Sequence, residues 1–343
     1  MHKTIRKEGG FTIVELLIVI VVIGILAAIT IVAYNGIQTK ARVAALQGDL
    51  EGAAKQLTSD YYVNGSFPGA TPTISNGSPQ AANGGQGLKA SNGSTYQYVT
   101  INGGYCLAEA NGSASYYVTN TNNVPTAGIC STLSGLVGWW PMDGNTNDQS
   151  GYGDNGVNSG ATLATGQNGQ ANTAYSFDGA SSQIVIADAS QLDMTGAQTI
   201  SAWVNPSSVA NIIKGILSKD ITGALSNPAY VLQLTTTNQV TYAITNASNS
   251  YQTIGSNIVP TTGSWMLLTG VYDGTKLSLY TNGVLYGTTV LQSDVGVTAG
   301  PLRIGQQKNG AGRWFNGSID DVRVYNRALS ASEVAALYAA GAQ

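Results

Sequence analysis

From Phe11 to Tyr34 the chain is apolar, with one charge, Glu15, and no proline. At ~1.5 Å per residue that run predicts a helix of about 36 Å, longer than a hydrocarbon core of ~30 Å. Lys3, Arg6 and Lys7 precede it and place the N-terminus on the cytoplasmic side. The helical period continues beyond Tyr34: Ala41, Ala45, Leu46, Leu50, Ala53, Ala54 and Leu57 recur at helical spacings, with Lys40, Arg42, Asp49, Glu51 and Lys55 on other faces. One helix is therefore expected over 11–62, its outer half amphipathic and in need of a surface for its apolar stripe. Asn64-Gly65-Ser66-Phe67-Pro68 stops it, and 69–94, rich in Gly, Asn, Ser and Pro, reads as a long surface loop.

The hydrophobic period then falls to two. Runs at 96–101, 104–108 and 115–119, separated by Asn102-Gly103 and Asn111-Gly112, predict three antiparallel strands laid across the outer helix. With the helix they make an α+β unit whose sheet-bearing head spans 63–131. A small polar linker is expected at 132–135. From Leu136 onward many short alternating runs, split by turn dipeptides, predict an all-β sandwich over 136–343. Ser330-Ala331-Ser332-Glu333 before Val334-Ala335-Ala336-Leu337-Tyr338 is a capping box that opens one short terminal helix.

The apolar run admits an ordinary signal peptide, but it is longer than such a segment needs, and a carboxylate within it is costly without a partner. Lys7-Glu8-Gly9-Gly10 followed by Phe11-Thr12-Ile13-Val14-Glu15-Leu16-Leu17 resembles the leader and N-methylation motif of type IV pilins and pseudopilins. The resemblance implies a leader at 1–10, cut after Gly10 by a membrane prepilin peptidase that also methylates the new N-terminus, Phe11. It implies further that Glu15 stays ionised by meeting the N-terminal amine of a neighbouring subunit, so that 11–34 spans the membrane and later forms a filament core. Pairing in low dielectric offsets a desolvation neither charge could bear alone. Type IV pilins often carry a proline near the end of the membrane half; here Val32 stands in that region, with Gly36 beyond it.

The distal region resembles the laminin-G-like, concanavalin A-type jelly roll. Gly138-Trp139-Trp140-Pro141-Met142-Asp143, Phe177-Asp178-Gly179, Val271-Tyr272-Asp273-Gly274, Leu302-Arg303-Ile304-Gly305 and the stretch 315–326 carry that likeness in order along the chain.

Composition narrows the chemistry. Only 10% of the 343 residues are charged. Taking Lys3, Arg6, Lys7 and Glu8 from 15 basic and 18 acidic residues leaves 12 and 17, a net charge of −5 and no basic patch for nucleic acid. The single histidine, His2, lies in the leader, so Ser-His-Asp triads and histidine zinc sites are excluded from the mature chain. Cys106 and Cys130 read as one disulfide in an exported protein, the alternative being two buried thiols. Glycosidases on this fold present paired glutamates, whereas the only glutamate beyond Leu136 is Glu333 in the capping box. Asp320-Asp321 are neighbours on a strand and should face opposite sides. No enzyme is expected.

Binding fits better. The resemblance to jelly rolls with a structural calcium implies Asp148 and Asp320 as ligands, then Asp143 and Asp154, the alternative being solvated turn carboxylates. Trp203 and Trp265 should be core, while Trp139, Trp140 and Trp314 lie near loops where packing or sugar stacking is open. The expectation is a minor or tip pilin of a type IV pilus-like filament, membrane-anchored before assembly and then at the cell surface. Its partners would be other pilins and the prepilin peptidase, with a glycan or surface protein as ligand of the jelly roll. The alternatives are a pseudopilin of a secretion or DNA-uptake system and, less in keeping with the residues, a carbohydrate-active enzyme.

Overall fold

In a computed structural model of the chain, one helix, α1, runs unbroken from Ile13 to Asn64, about 78 Å at ~1.5 Å per residue. The structure describes residues 13–67, 88, 94–101, 104–111, 114–208, 213–220, 227–246, 248, 250–290, 295–296, 299–307 and 312–341, without the side chains of 13–16, 19, 28–29, 31–36, 64, 100 and 114. Gly10 and Phe11 lie outside the described residues, as does the side chain of Glu15. Among the described residues no helical stretch is long and apolar enough to cross a membrane. Side chains in the apolar run are described only at 17–18, 20–27 and 30. Leu17, Ile18, Ile20, Val21, Val22, Ile23, Ile25 and Leu26 there stand 49–59% exposed. The Thr30 hydroxyl bonds back to the carbonyls of Leu26 and Ala27, both at 2.9 Å, so this apolar segment leaves no hydroxyl unpaired there.

The outer half of α1 buries the stripe foreseen in its sequence. Leu50, Ala53, Ala54 and Leu57 pack on Tyr96, Tyr98, Tyr105, Leu107 and Val118 of the head sheet. Strands Thr95–Ile101, Gly104–Asn111 and Ala114–Thr119 pair in sequence order, and a short fourth strand, Thr126–Ala127, follows. Ile101 faces Gly104 and Asn111 faces Ala114, which leaves two residues for each connection, as the Asn-Gly pairs require. Residues 102–103 and 112–113 themselves lie outside the description. The 69–94 segment does more than run over the surface: Leu88 from it is 2% exposed and sits in the head core. Cys106 and Cys130 form a disulfide, with Cα atoms 5.6 Å apart.

The distal region is an antiparallel sandwich. One sheet runs Val284–Val290, Lys276–Thr281, Met266–Tyr272, Gln198–Pro206, Asn316–Tyr325, Ala174–Asp178 and Thr162–Ala164, with Leu136–Trp140 also on Asn316–Tyr325. The other runs Tyr251–Gly255, Val240–Thr245, Tyr230–Leu234, Lys214–Lys219, Leu302–Ile304, Gln183–Ile186 and Gly156–Ser159. Ile200, Ala202, Val204 and Leu268 of the first sheet meet Leu232, Tyr242 and Ile304 of the second in the sandwich core. At Gly270 the sheets approach so closely that a Cβ would lie 2.3 Å from the Tyr242 ring, which leaves room only for hydrogen.

The outer face of the first sheet is buried too. Trp203, Leu267 and Val271 share one cluster with Val334 and Leu337 of the terminal helix α2 (Ala331–Gly341) and with Cys106, Ala108, Tyr117 and Leu133 of the head region. Trp203 stacks on Tyr338 with centroids 5.6 Å apart. Helix α2 starts as its sequence foretold, the Ser330 N–H donating to Glu333 Oε2 at 2.8 Å and the Glu333 N–H to Ser330 Oγ at 3.3 Å. The connection at 132–135 is packed rather than slack. It overlaps the 3-10 turn Cys130–Leu133, and Arg327 donates to the carbonyls of Ser131 and Ser134, both at 2.6 Å. Head and sandwich therefore meet through a common apolar core and a pinned joint.

Candidate functional site

Beside that joint lies a cleft of about 480 Å³, walled by the end of the head sheet on one side and by Leu136–Trp140 and the loop after it on the other. Alternation along Leu136–Trp140 splits the two tryptophans. Trp140 is fully buried, its indole N–H donating to the Asp154 carbonyl at 2.9 Å. Its ring covers Gly138, where a Cβ would come within 2.4 Å of it. Trp139 is half-buried and lines the cleft. It is held twice: its indole N–H donates to Asp321 Oδ1 at 2.7 Å, and the Arg323 guanidinium carbon sits 4.7 Å from its ring centroid. Arg323 Nε also donates to Asp321 Oδ1, at 2.9 Å. Burial works against the Arg323 charge, but Asp321 keeps the guanidinium ionised and pushes its pKa up.

After Trp140 the chain turns sharply. Met142 has φ 65° and is fully buried; a left-handed backbone there costs roughly 1–2 kcal/mol for a residue with a Cβ. The turn sets Asp143 and Asn145 at the cleft. Asp148 then organises the loop. Its Oδ1 accepts N–H groups from Trp139 and Ser150, each at 2.9 Å. Its Oδ2 accepts from the Ser150 hydroxyl at 2.7 Å, the Gly153 N–H at 2.9 Å and the Asp154 N–H at 3.2 Å. This fixes Gln149 and the 44%-exposed ring of Tyr152 on the same wall. Opposite, the head contributes Tyr117 and the segment Thr119 to Asn122. That segment is stiffened by Asn120 Oδ1, which accepts the Tyr105 N–H at 3.1 Å, and by Asn122 Oδ1, which accepts the Val124 N–H at 3.0 Å.

The four carboxylates expected to hold calcium do not converge. Among the described residues no group of three or more His, Cys, Asp or Glu is arranged to hold a metal ion. The oxygens of Asp148 already accept five N–H and O–H groups. Asp154 is raised by burial, while its Oδ2 accepts from the Gln191 amide. Asp320 is different. It is 4% exposed, its Oδ2 accepts the Gln167 N–H at 3.0 Å, and burial, with Asp321 and Asp143 nearby, pushes its pKa up to about 8. Asp143, exposed at the cleft, is raised by partial desolvation and by the charge of Asp321. Asp320 and its neighbour Asp321 take different partners, at a bulge where Asp321 has φ 44°.

Sequence reading found Trp139 and Asp143 but not the head residues that face them, nor the Asp321–Arg323 support. Nothing local in the 119–122 segment marks it as a wall; only the packing of head on sandwich brings it there. Trp203 is core as expected, and Trp265 is partly buried against the same cluster.

Comparison with known proteins fits this layout. A family model described as the prokaryotic N-terminal methylation motif matches residues 5–31, and one described as the concanavalin A-like lectin/glucanases superfamily matches residues 177–335. The chain is similar to a fimbrial protein of Neisseria meningitidis serogroup B, 39% identical over 67 residues, 20% of this chain and 38% of that protein. It is also similar to the type IV major alpha-pilin of Moraxella bovis, 40% identical over 70 residues, 20% of this chain and 41% of that one. The chain thus spans well under half the length of these curated relatives. Among solved structures, the binding domain of Paraclostridial Mosquitocidal Protein 1 superposes with a TM-score of 0.51 at 16% identity, covering 60% of this chain and 52% of that one, a likeness of fold alone. The chain joins a prokaryotic N-terminal methylation motif to a domain of the concanavalin A-like lectin/glucanase superfamily.

Proposed function

We propose that this protein is a pilin-type subunit, minor or at the tip of a type IV pilus-like filament, that displays a non-catalytic carbohydrate-binding module at the cell surface. One observation carries the reading: a methylation motif opens a 52-residue helix whose first half bares its apolar side chains, while the far end of the same chain is a lectin-type sandwich. A helix apolar all round needs lipid before assembly and sister helices after it. On this reading a prepilin peptidase cuts after Gly10, Phe11 becomes the N-terminus, and Glu15 meets the amine of the next subunit. Catalysis has little support. The one glutamate of the sandwich, Glu333, is held by Arg327 at 2.8 and 3.0 Å and by Ser330, which keep its carboxyl below the usual range against the effect of burial. A glycosidase acid needs the opposite shift.

The reading is tested on cells. Filaments sheared from the surface should contain the protein with Phe11 at its N-terminus by mass spectrometry and should bind glycans. Recovery only from the envelope favours a pseudopilin, and a different N-terminus removes the filament reading. Deleting 136–343 is a poor test, because it strips the head of apolar partners such as Trp203 and Leu267.

A further inference from the structure

We infer that the cleft between head and sandwich is the ligand site and that it takes a short neutral oligosaccharide. This rests on the carbohydrate-binding reading above and names its place and ligand class.

The wall chemistry carries the inference. Trp139 supplies an aromatic surface that cannot swing, because its indole N–H is tied to Asp321 and Arg323 lies against its ring. Tyr152 adds a second, exposed ring. The C–H face of a pyranose packs on such rings at little entropic cost, since they are already ordered. Around them stand uncharged groups that both donate and accept, the amides of Asn122, Asn145 and Gln149 and the hydroxyl of Thr121, which suits a ligand bearing many hydroxyls. Among the described residues the only charged one in the lining is Asp143, with no lysine or arginine, and Arg323 pairs with Asp321 behind Trp139. A sialic or uronic acid would find no counter-charge there and one carboxylate opposed to it. The volume, about 480 Å³, lies in the ~300–1,000 Å³ range of small-ligand sites. The strained backbone at Met142, next to Asp143, fits a wall held in place for binding rather than for stability.

Because both units line the cleft, substitutions on either should weaken binding. The test uses the full chain in detergent micelles on an array of neutral oligosaccharides beside sialylated and uronic-acid-bearing ones. The expected result is binding to neutral members only. Trp139→Ala, Tyr152→Ala and the head substitution Thr121→Trp should each weaken it about tenfold or more. Thermal melting accompanies each variant. If Trp139→Ala fails to fold, the exposed positions Tyr152 and Thr121 still decide. Neutral-glycan binding that survives the folded Tyr152→Ala and Thr121→Trp variants would overturn the cleft but leave the lectin reading standing. Binding confined to acidic glycans would overturn the ligand class. A folded protein that binds no member of either set would sink both this inference and the reading beneath it.

Discussion

The two halves of α1 are one continuous helix, yet they meet opposite fates. Leu17, Ile18, Ile20, Val21, Val22, Ile23, Ile25 and Leu26 stand about half exposed, whereas Leu46, Leu50, Ala54 and Leu57 are at most 1% exposed beneath the head sheet. Content and arrangement both separate them: from Phe11 to Tyr34 Glu15 is the one charge, whereas the outer half carries Lys40, Arg42, Asp49, Glu51 and Lys55. In the first, apolar residues occupy every face; in the second they form a stripe three and four residues apart, with Asp49, Glu51 and Lys55 around it. A stripe can be satisfied by one sheet of the same chain, but a helix greasy all round needs surroundings the chain does not supply. The stalk is therefore read as an assembly element and the outer half as part of the head.

That contrast can be broken most directly by truncation of side chains. Leu50→Ala or Leu57→Ala should cost about 2–5 kcal/mol of stability in denaturant unfolding of the full chain in detergent. Ile18→Ala or Ile23→Ala should leave that unfolding curve in place and lower the amount of protein in sheared filaments. Equal effects of both pairs on unfolding would erase the distinction between the halves. Next in size is the disulfide that ties the head strand to the joint: Cys106→Ser with Cys130→Ser should cost ~3 kcal/mol, read in the same experiment.

A further test sets Asp320 against Asp148, both nearly buried carboxylates. Asp320 is raised from 3.8 to about 8, mainly by burial, so the folded state binds its proton more tightly than the unfolded chain does. The stability linked to that proton is fully present below the unfolded value and is lost as pH rises through the folded one. In chelator, the melting temperature should fall by several degrees between pH 5 and pH 9, about one unit above the unfolded value and about one above the folded. Asp320→Asn should flatten that fall. If calcium binds at Asp143 and Asp320, adding it at the alkaline end should restore the wild type and not the asparagine variant; no restoration would leave the site to a proton alone. The smallest expected effect is at the far end of the chain. Ser330→Ala should remove the cap of α2 and cost ~1 kcal/mol, seen as a small drop in melting temperature.

Much of this architecture was legible residue by residue. The α1 stripe, the two-residue hairpin connections, the capping box at Ser330 and Glu333 and the pairing of Cys106 with Cys130 all follow from local periodicity or from elimination, and the structure bears them out. The expectation of calcium at Asp148 rests on composition, and a cluster of Asp and Asn has the same composition whether it cages a cation or gathers backbone N–H groups into a tight loop, as Asp148 does here. Leu88 was hidden in a glycine- and asparagine-rich stretch whose composition says surface. Alternation along 200–204 cannot say what will cover its second face, where Trp203 lies against Val334 and Leu337 of α2.

By itself the sequence determined the elements, because helix, hairpin and cap are decided by bonds and contacts within a few residues. It also set the expectation that no Ser-His-Asp triad forms, since the one histidine, His2, lies in the expected leader. The tertiary structure decided where those elements meet. Only the docking of the head on the outer face of the sandwich, through Tyr117, Leu133, Trp203 and Leu267, creates a wall opposite Trp139. Burial of apolar surface drives that docking and is non-directional. Which two patches find each other therefore depends on the shape of the whole fold, and no local pattern records it.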